Sequence, residues 1–287
     1  MDAAKLCSLL KGSSYKVKDL LDNPLLASKQ LKTVMIPTTC GTGAEATCNA
    51  IVAVPEEQSK KGIVNEEMIP DYVILDAGMI ANLPAPIVAA TGVDALAHAV
   101  ECFTSKKATP LSDTYALASA KLIFRNIEEA YANPSNTEAR DSMLLGAFYG
   151  GVAITGSGTT AVHALSYPLG GKYHIAHGVS NAILFAHVMA FNKDACQERL
   201  AQLCDGVYPE YSAKSQEEKA DYMISRIEAI VKNTGIPTDL NAFGVKMEDL
   251  DFLTDAGSKQ QRLLVNNMKE LRTDHIRSIY LKVLKED

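Results

Sequence analysis

No Cys-x-x-Cys pair occurs in this chain of 287 residues, and its six cysteines (Cys7, Cys40, Cys48, Cys102, Cys196 and Cys204) show no paired spacing. That excludes a zinc ribbon or a disulfide frame, and it reads as free thiols in a reducing, cytoplasmic setting. Clustered Lys and Arg are missing too: Lys60-Lys61 is the nearest thing to a basic cluster away from the termini, and the net charge is −6. A nucleic-acid partner would need such a patch, so none is expected. No run of about 18 apolar residues is free of breakers and charges, so no membrane partner is expected either. The N-terminus lacks the basic start and small-residue cleavage site of a secretory signal. No repeat at a fixed period is visible. What the sequence does have is apolar bulk, 47% hydrophobic residues, enough for a sizeable core in one large domain or two.

Residues 1–10 read as a helix that begins without a capping turn. A short buried strand follows in KTVMIPTT, at Val34, Met35 and Ile36, and Pro37 stops it. The next loop is made of small residues, Thr38, Thr39, Gly41, Thr42 and Gly43. Amides and hydroxyls at the end of a strand suit a phosphate or cofactor, although an ordinary strand-to-helix turn gives the same composition. Residues 50–54 and 62–64 flank the polar PEEQSKK and suggest a hairpin, and 72–76 reads as another buried strand. After Pro84 and Pro86 strand signals almost vanish, and helices are expected at 111–132, 137–154, 179–191, 196–203, 214–233 and 247–257. An amphipathic segment closes the chain at 273–285. The expectation is a small α/β portion over residues 1–85 and an all-helical domain over 86–287.

The stretch that organises the chain is TGVDALAHAVE, residues 91–101. It places Asp94 and His98 one helical turn apart, on one face, among apolar neighbours. A carboxylate buried there needs a partner, and a divalent cation is the strongest available. An Asp–His hydrogen-bonded pair without metal is the alternative. Two more imidazoles complete a set: His163, in an apolar helix, and His177, at a helix N-terminus that favours the neutral, metal-binding form. His163 alone reads as a core histidine; it gains meaning only beside Asp94 and His98. His174 is a candidate outer group or substrate contact, His187 reads as structural, and His275 as surface. One Asp and three His suit Fe2+ or Zn2+, which allows alcohol/carbonyl redox chemistry or hydrolysis.

These residues resemble the iron-containing (group III) alcohol dehydrogenase family over essentially the whole chain. ILDAGMIANLPAPIVAATGVDALAHAVE is similar to the family's first signature and HALSYPLGGKYHIAHGVSNA to its second; PTTCGTGAE, GIPTDL and QRLLVNNMKEL also match family habit. The resemblance implies a dehydroquinate synthase-like architecture and iron ligands Asp94, His98, His163 and His177, with zinc as the alternative metal. It implies NAD or NADP on Thr38, Thr39 and Thr42, with Lys60 near the phosphates. The reaction would be hydride transfer to or from a small primary alcohol or aldehyde, in a homo-oligomer, a dimer.

Two departures from the family pattern matter. Tyr167 stands where several members carry a proton-shuttling histidine, and a phenol has a pKa near 10. His174 is the candidate substitute. The family's glycine motif GGGSxxDxAK is met only from its Asp, here Asp2, which is the remaining motif contact for the cofactor. Losing charge-assisted hydrogen bonds worth roughly 1.5–3 kcal/mol each would weaken NAD(P) binding by orders of magnitude. A second hypothesis is therefore a truncated, inactive metal-binding paralogue that acts only as a partner subunit. A metal hydrolase is the third, with Glu101 as a conceivable base, although its place one turn beyond His98 more often means a structural hydrogen bond. An uncovered sheet edge and apolar surface are expected to drive association.

Overall fold

The structure, a computed structural model, describes residues 1–57 and 59–285. Helix α1 (Asp2–Leu10) starts at the N-terminus with no side-chain cap, and a short α2 (Val17–Asp22) follows. Strands β1 (Val34–Met35) and β4 (Tyr72–Val73) pair in parallel, with Val34 opposite Tyr72. Between them in sequence, β2 (Asn49–Val54) and β3 (Ser59–Val64) form the expected antiparallel hairpin, whose turn includes Gln58, outside the described residues. Leu6, Leu9, Leu20, Ala50, Ile63 and Met68 make a small separate core beneath this part.

Two expectations need correcting here. The strands at 34–36 and 72–76 are shorter than read, and they are not buried throughout: Met35 is buried, but Val34 is 54% exposed, Tyr72 58% and Ile74 49%. Among the described residues each has a single strand neighbour, the other, so both outer edges of the pair are left without a strand partner. Alternate apolar side chains are left in the open.

From residue 85 onward the chain is helical: α3 (Ala85–Phe103), α4 (Pro110–Ala132), α5 (Thr137–Ser157), α6 (Ala161–Lys172), α7 (His177–Val207), α8 (Gln216–Asn233), α9 (Leu250–Ser258), α10 (Gln261–Leu264) and α11 (Thr273–Tyr280). Helix α3 is the axis. Its Ala- and Val-rich sequence is long and apolar enough to cross a membrane, yet it is enclosed by α4, α5 and α7. Pro86 falls in its first turn, where a missing N–H costs nothing. The helices expected at 179–191 and 196–203 run end to end as α7 and meet at a kink at Cys196, the residue off helical geometry (φ −127°). The polar join NKDA carries no Gly or Pro, so the two halves turn at one residue without an intervening loop.

Close packing at one glycine sets the site. A Cβ on Gly178 would lie 2.0 Å from the Ala90 carbonyl oxygen, so the first turn of α7 rests directly on the α3 backbone. That contact carries His177 to the face of α3 that holds Asp94. Substitution Gly178→Ala is expected to destabilise the protein by about 1–3 kcal/mol or more, as overpacking does, and to weaken metal binding at the same time. Urea unfolding and metal titration check it; a variant unaltered in both would mean the two helices do not depend on this contact.

Candidate metal centre

Four side chains from three helices converge. Asp94 and His98 project from one face of α3, His163 from α6 and His177 from the first position of α7. The Asp94 Oδ1 lies 3.8 Å from His98 Nε2, 3.5 Å from His163 Nε2 and 3.6 Å from His177 Nε2. Those separations are long for good hydrogen bonds. They suit ligands around one ion, which sit about 3.4 Å apart when each lies about 2.1 Å from the metal in a tetrahedral site. Donor atoms of Asp94, His98 and His163 all fall within 4.8 Å of one another. The rings of His98 and His163 stack at 4.6 Å, and that of His177 meets His163 edge-on at 5.2 Å. Asp94, His98 and His163 are buried and His177 is partly open, as a ligand at the mouth of a cavity would be.

Charge makes the same point. Burial opposes ionisation of Asp94, but the three imidazoles hold its carboxyl far below the usual range. Burial lowers His98 to about 4 and His177 to about 4, against the opposing pull of Asp94. Both are therefore neutral at pH 7, the form that ligates. His163 goes the other way: burial would lower it, but Glu101 and Asp94 raise it to about 9. A proton must leave His163 before a metal can use its Nε2.

Two outer residues hold the ligands. Glu101, completely buried, accepts from the backbone N–H of Thr160 and Val162 and from the Thr160 hydroxyl, and it bonds His163 Nδ1. This is the carboxylate–histidine arrangement that fixes a ligand's tautomer and aim. With both oxygens so engaged, Glu101 is an anchor and not a free base. Asn181, one turn beyond His177, donates its amide to Asp94 Oδ1 at 2.6 Å, 3.2 Å from His163 Nε2. Reading the sequence alone misses Asn181, though its i+4 spacing from His177 places it on the ligand face.

The cavity outside the metal residues measures about 640 Å³ and is lined by Asp94, His98, His163 and His177 with Thr38, Thr39, Thr42, Asp2, Lys60 and Tyr167. The loop carrying the threonines is pressed on the helices: Gly43, at φ 56°, leaves no room for a Cβ, which would meet the Ala147 carbonyl at 2.6 Å. Asp2 is partly committed, since its carboxylate accepts from Ile51 N–H at 3.0 Å. The buried Lys5, another residue missed from sequence, donates to the Thr47 and Asn49 carbonyls and pins α1 to the cavity wall; burial lowers it to about 8. His174 lies elsewhere, exposed at φ 55° in an adjoining cavity that shares Lys60 and His177. His187 is half-buried, and His275 is not fully on the surface as expected but packs on Phe191, at 4.9 Å.

One aspartate and three histidines facing a threonine-lined cavity, on a helical domain preceded by a small α/β part, offer the donors of a mononuclear metal site, a set suited to redox or to hydrolytic chemistry. Comparison with known proteins decides between them. Residues 1–77 match the model of iron-containing alcohol dehydrogenases, and residues 88–284 the model of the Fe-containing alcohol dehydrogenase family, C-terminal. Long-chain-alcohol dehydrogenase 1 of Geobacillus thermodenitrificans is 37% identical, over 98% of this chain and 71% of that protein. The crystal structure of 1,3-propanediol oxidoreductase superposes with a TM-score of 0.90 at 29% identity, covering 99% of this chain and 74% of the other. That of a sulfoacetaldehyde reductase from Bifidobacterium kashiwanohense, in complex with NAD+, gives 0.88 at 28% identity over 100% and 74%. The chain belongs to the iron-containing alcohol dehydrogenase family, whose members named here are oxidoreductases.

The state of His163 predicts how metal binding responds to pH. Because its pKa lies near 9 through Glu101, affinity for a divalent ion should rise about tenfold per pH unit from pH 7 toward 9. In Glu101→Gln that slope should flatten and affinity at pH 8 should fall about 10- to 100-fold. Chelator-competition titrations at a series of pH values measure both; an equal slope in the variant would contradict the pairing.

Proposed function

We propose that this chain carries out hydride transfer between a small primary alcohol or aldehyde and a nicotinamide dinucleotide, dependent on a metal held by Asp94, His98, His163 and His177. The observation that carries the reading is the convergence of those four ligands on the cavity that the threonine loop lines. The NAD+ held by a reductase of similar fold supports NAD as the cofactor. Iron is proposed from the family, with zinc able to occupy the same donors.

In this reading residues through 85 contribute the cofactor side and 86–287 the metal side. A divalent ion bound there supplies Lewis acidity that lowers the pKa of an alcohol hydroxyl. Glu101 and Asn181 keep the ligands aimed, so that no reorganisation is needed when substrate arrives. Thr38, Thr39 and Thr42 offer hydroxyls and amides to the cofactor, with Asp2 and Lys60 at the same wall. Burial raises the Tyr167 phenol above its ordinary value, so it stays protonated and serves as a hydrogen-bond donor over the substrate. Proton exchange with solvent is assigned to His174, exposed beside the same site. The exposed apolar strand pair β1–β4 and the six free cysteines support a homodimer in a reducing, cytoplasmic setting.

The test is oxidation of NADH, and separately NADPH, by the chain loaded anaerobically with Fe2+ and given butyraldehyde. Turnover is expected with iron, and its loss by at least about a thousandfold in Asp94→Ala. Stoichiometric iron without turnover would contradict the reading and favour a metal-binding paralogue that acts as a partner subunit.

A further inference from the structure

The metal cavity does not end at Tyr167. A second cavity of about 500 Å³ begins there, sharing Lys60 and Tyr167 with the first. Its lining carries four basic residues, Lys60, Lys61, Lys259 and Arg262, and one acid, Asp255. That acid is engaged by Lys259 at 2.7 Å. Among the described residues, neither Arg262 nor Lys60 forms an ion pair. The Arg262 guanidinium donates to the Tyr167 hydroxyl at 3.4 Å, and its space is kept by Gly62, where a Cβ would stand 3.0 Å from Nη2. Lys60 also lines the metal cavity together with His177. Two uncompensated cations thus lie just past the residue that faces the metal ligands.

We infer that the alcohol or aldehyde taken by this site bears an anionic group at its far end, a carboxylate or sulfonate, gripped by Arg262 with help from Lys60. The inference rests on the dehydrogenase reading and narrows its substrates to ω-hydroxy and ω-oxo acids. A guanidinium fork suits a planar carboxylate, and its single bond to a neutral phenol leaves further N–H groups to donate. Leu21 and Phe252 wall the same cavity with apolar surface for the methylenes between. A dinucleotide phosphate is the other source of anionic charge. Arg262 is poorly placed for it, because it lines only the second cavity, while Thr38, Thr39 and Thr42 line only the first. Lys60 lines both, so Arg262 is the residue that separates the two ligands.

Isothermal calorimetry on the iron-loaded chain under anaerobic conditions tests this with three probes: 4-hydroxybutyrate, 1-butanol and butyrate. The hydroxy acid should bind on the order of 10- to 100-fold more tightly than butanol, the range of a charge-assisted contact. In Arg262→Met that ratio should fall to about one. Equal affinities in the wild type, or a preference that survives Arg262→Met, would overturn the inference. A loss of NADH affinity in Arg262→Met with the ratio intact would assign the arginine to the cofactor and overturn it too. If neither alcohol binds more tightly with iron than without, the dehydrogenase reading fails. Butyrate, which has no hydroxyl, then still decides the subsite: binding abolished by Arg262→Met upholds it, and binding indifferent to the change sinks it.

Discussion

A carboxylate inside an apolar helix is the constraint on which this molecule turns. Asp94 lies in α3 between Val93 and Ala95, in a core of alanine, valine and leucine. An unpaired anion there would cost far more than any helix of this size gains by packing. The fold therefore brings three imidazoles and an amide to one oxygen of that side chain. It spends a second buried carboxylate, Glu101, on aligning one of them. The amide bonds that oxygen directly, while the three imidazoles stand 3.5–3.8 Å from it, long for good hydrogen bonds and suited to a shared cation.

The helices follow from that requirement. Axis helix α3 supplies Asp94, His98 and Glu101, three residues of one stripe at i, i+4 and i+7. Helix α6 brings His163 within reach of Glu101, and the N-terminus of α6 gives Glu101 its backbone donors. Helix α7 reaches α3 through Gly178, which leaves the backbones in direct contact. The cavity wall opposite is the threonine loop, held down by two glycines and by the buried ammonium of Lys5 through Thr47. Packing and polar anchoring thus act on the same few positions.

Much of this is legible in the residues. The i, i+4 pair of Asp94 and His98 announces itself, and the helix expected from Val179 begins two residues earlier, at His177. His163 can be read only in company, because an apolar helix with one histidine says nothing about what its ring faces. The place of Glu101 one turn beyond His98 suggests a structural hydrogen bond but not its partner, and Asn181 is missed altogether: their partners are 62 and 87 residues distant, across helix packing that no local pattern encodes. The strands at 34–36 and 72–76 mark the opposite limit. An apolar run states that burial is favourable, not that a covering element is supplied, and Val34, Ile36, Tyr72 and Ile74 stand exposed. The left-handed backbone of His174, unusual for a residue with a Cβ, gives no sign in the sequence.

The centre itself can be probed without catalysis. Cobalt(II) in place of iron reports its ligands by visible absorption, strong for a low-coordinate site and weak for a six-coordinate one. One equivalent should bind and give the strong, structured spectrum, and His163→Ala should abolish or flatten it. A spectrum indifferent to His163→Ala, or one showing only weak six-coordinate bands in the wild type, would contradict a metal centre built on Asp94 and its three histidines.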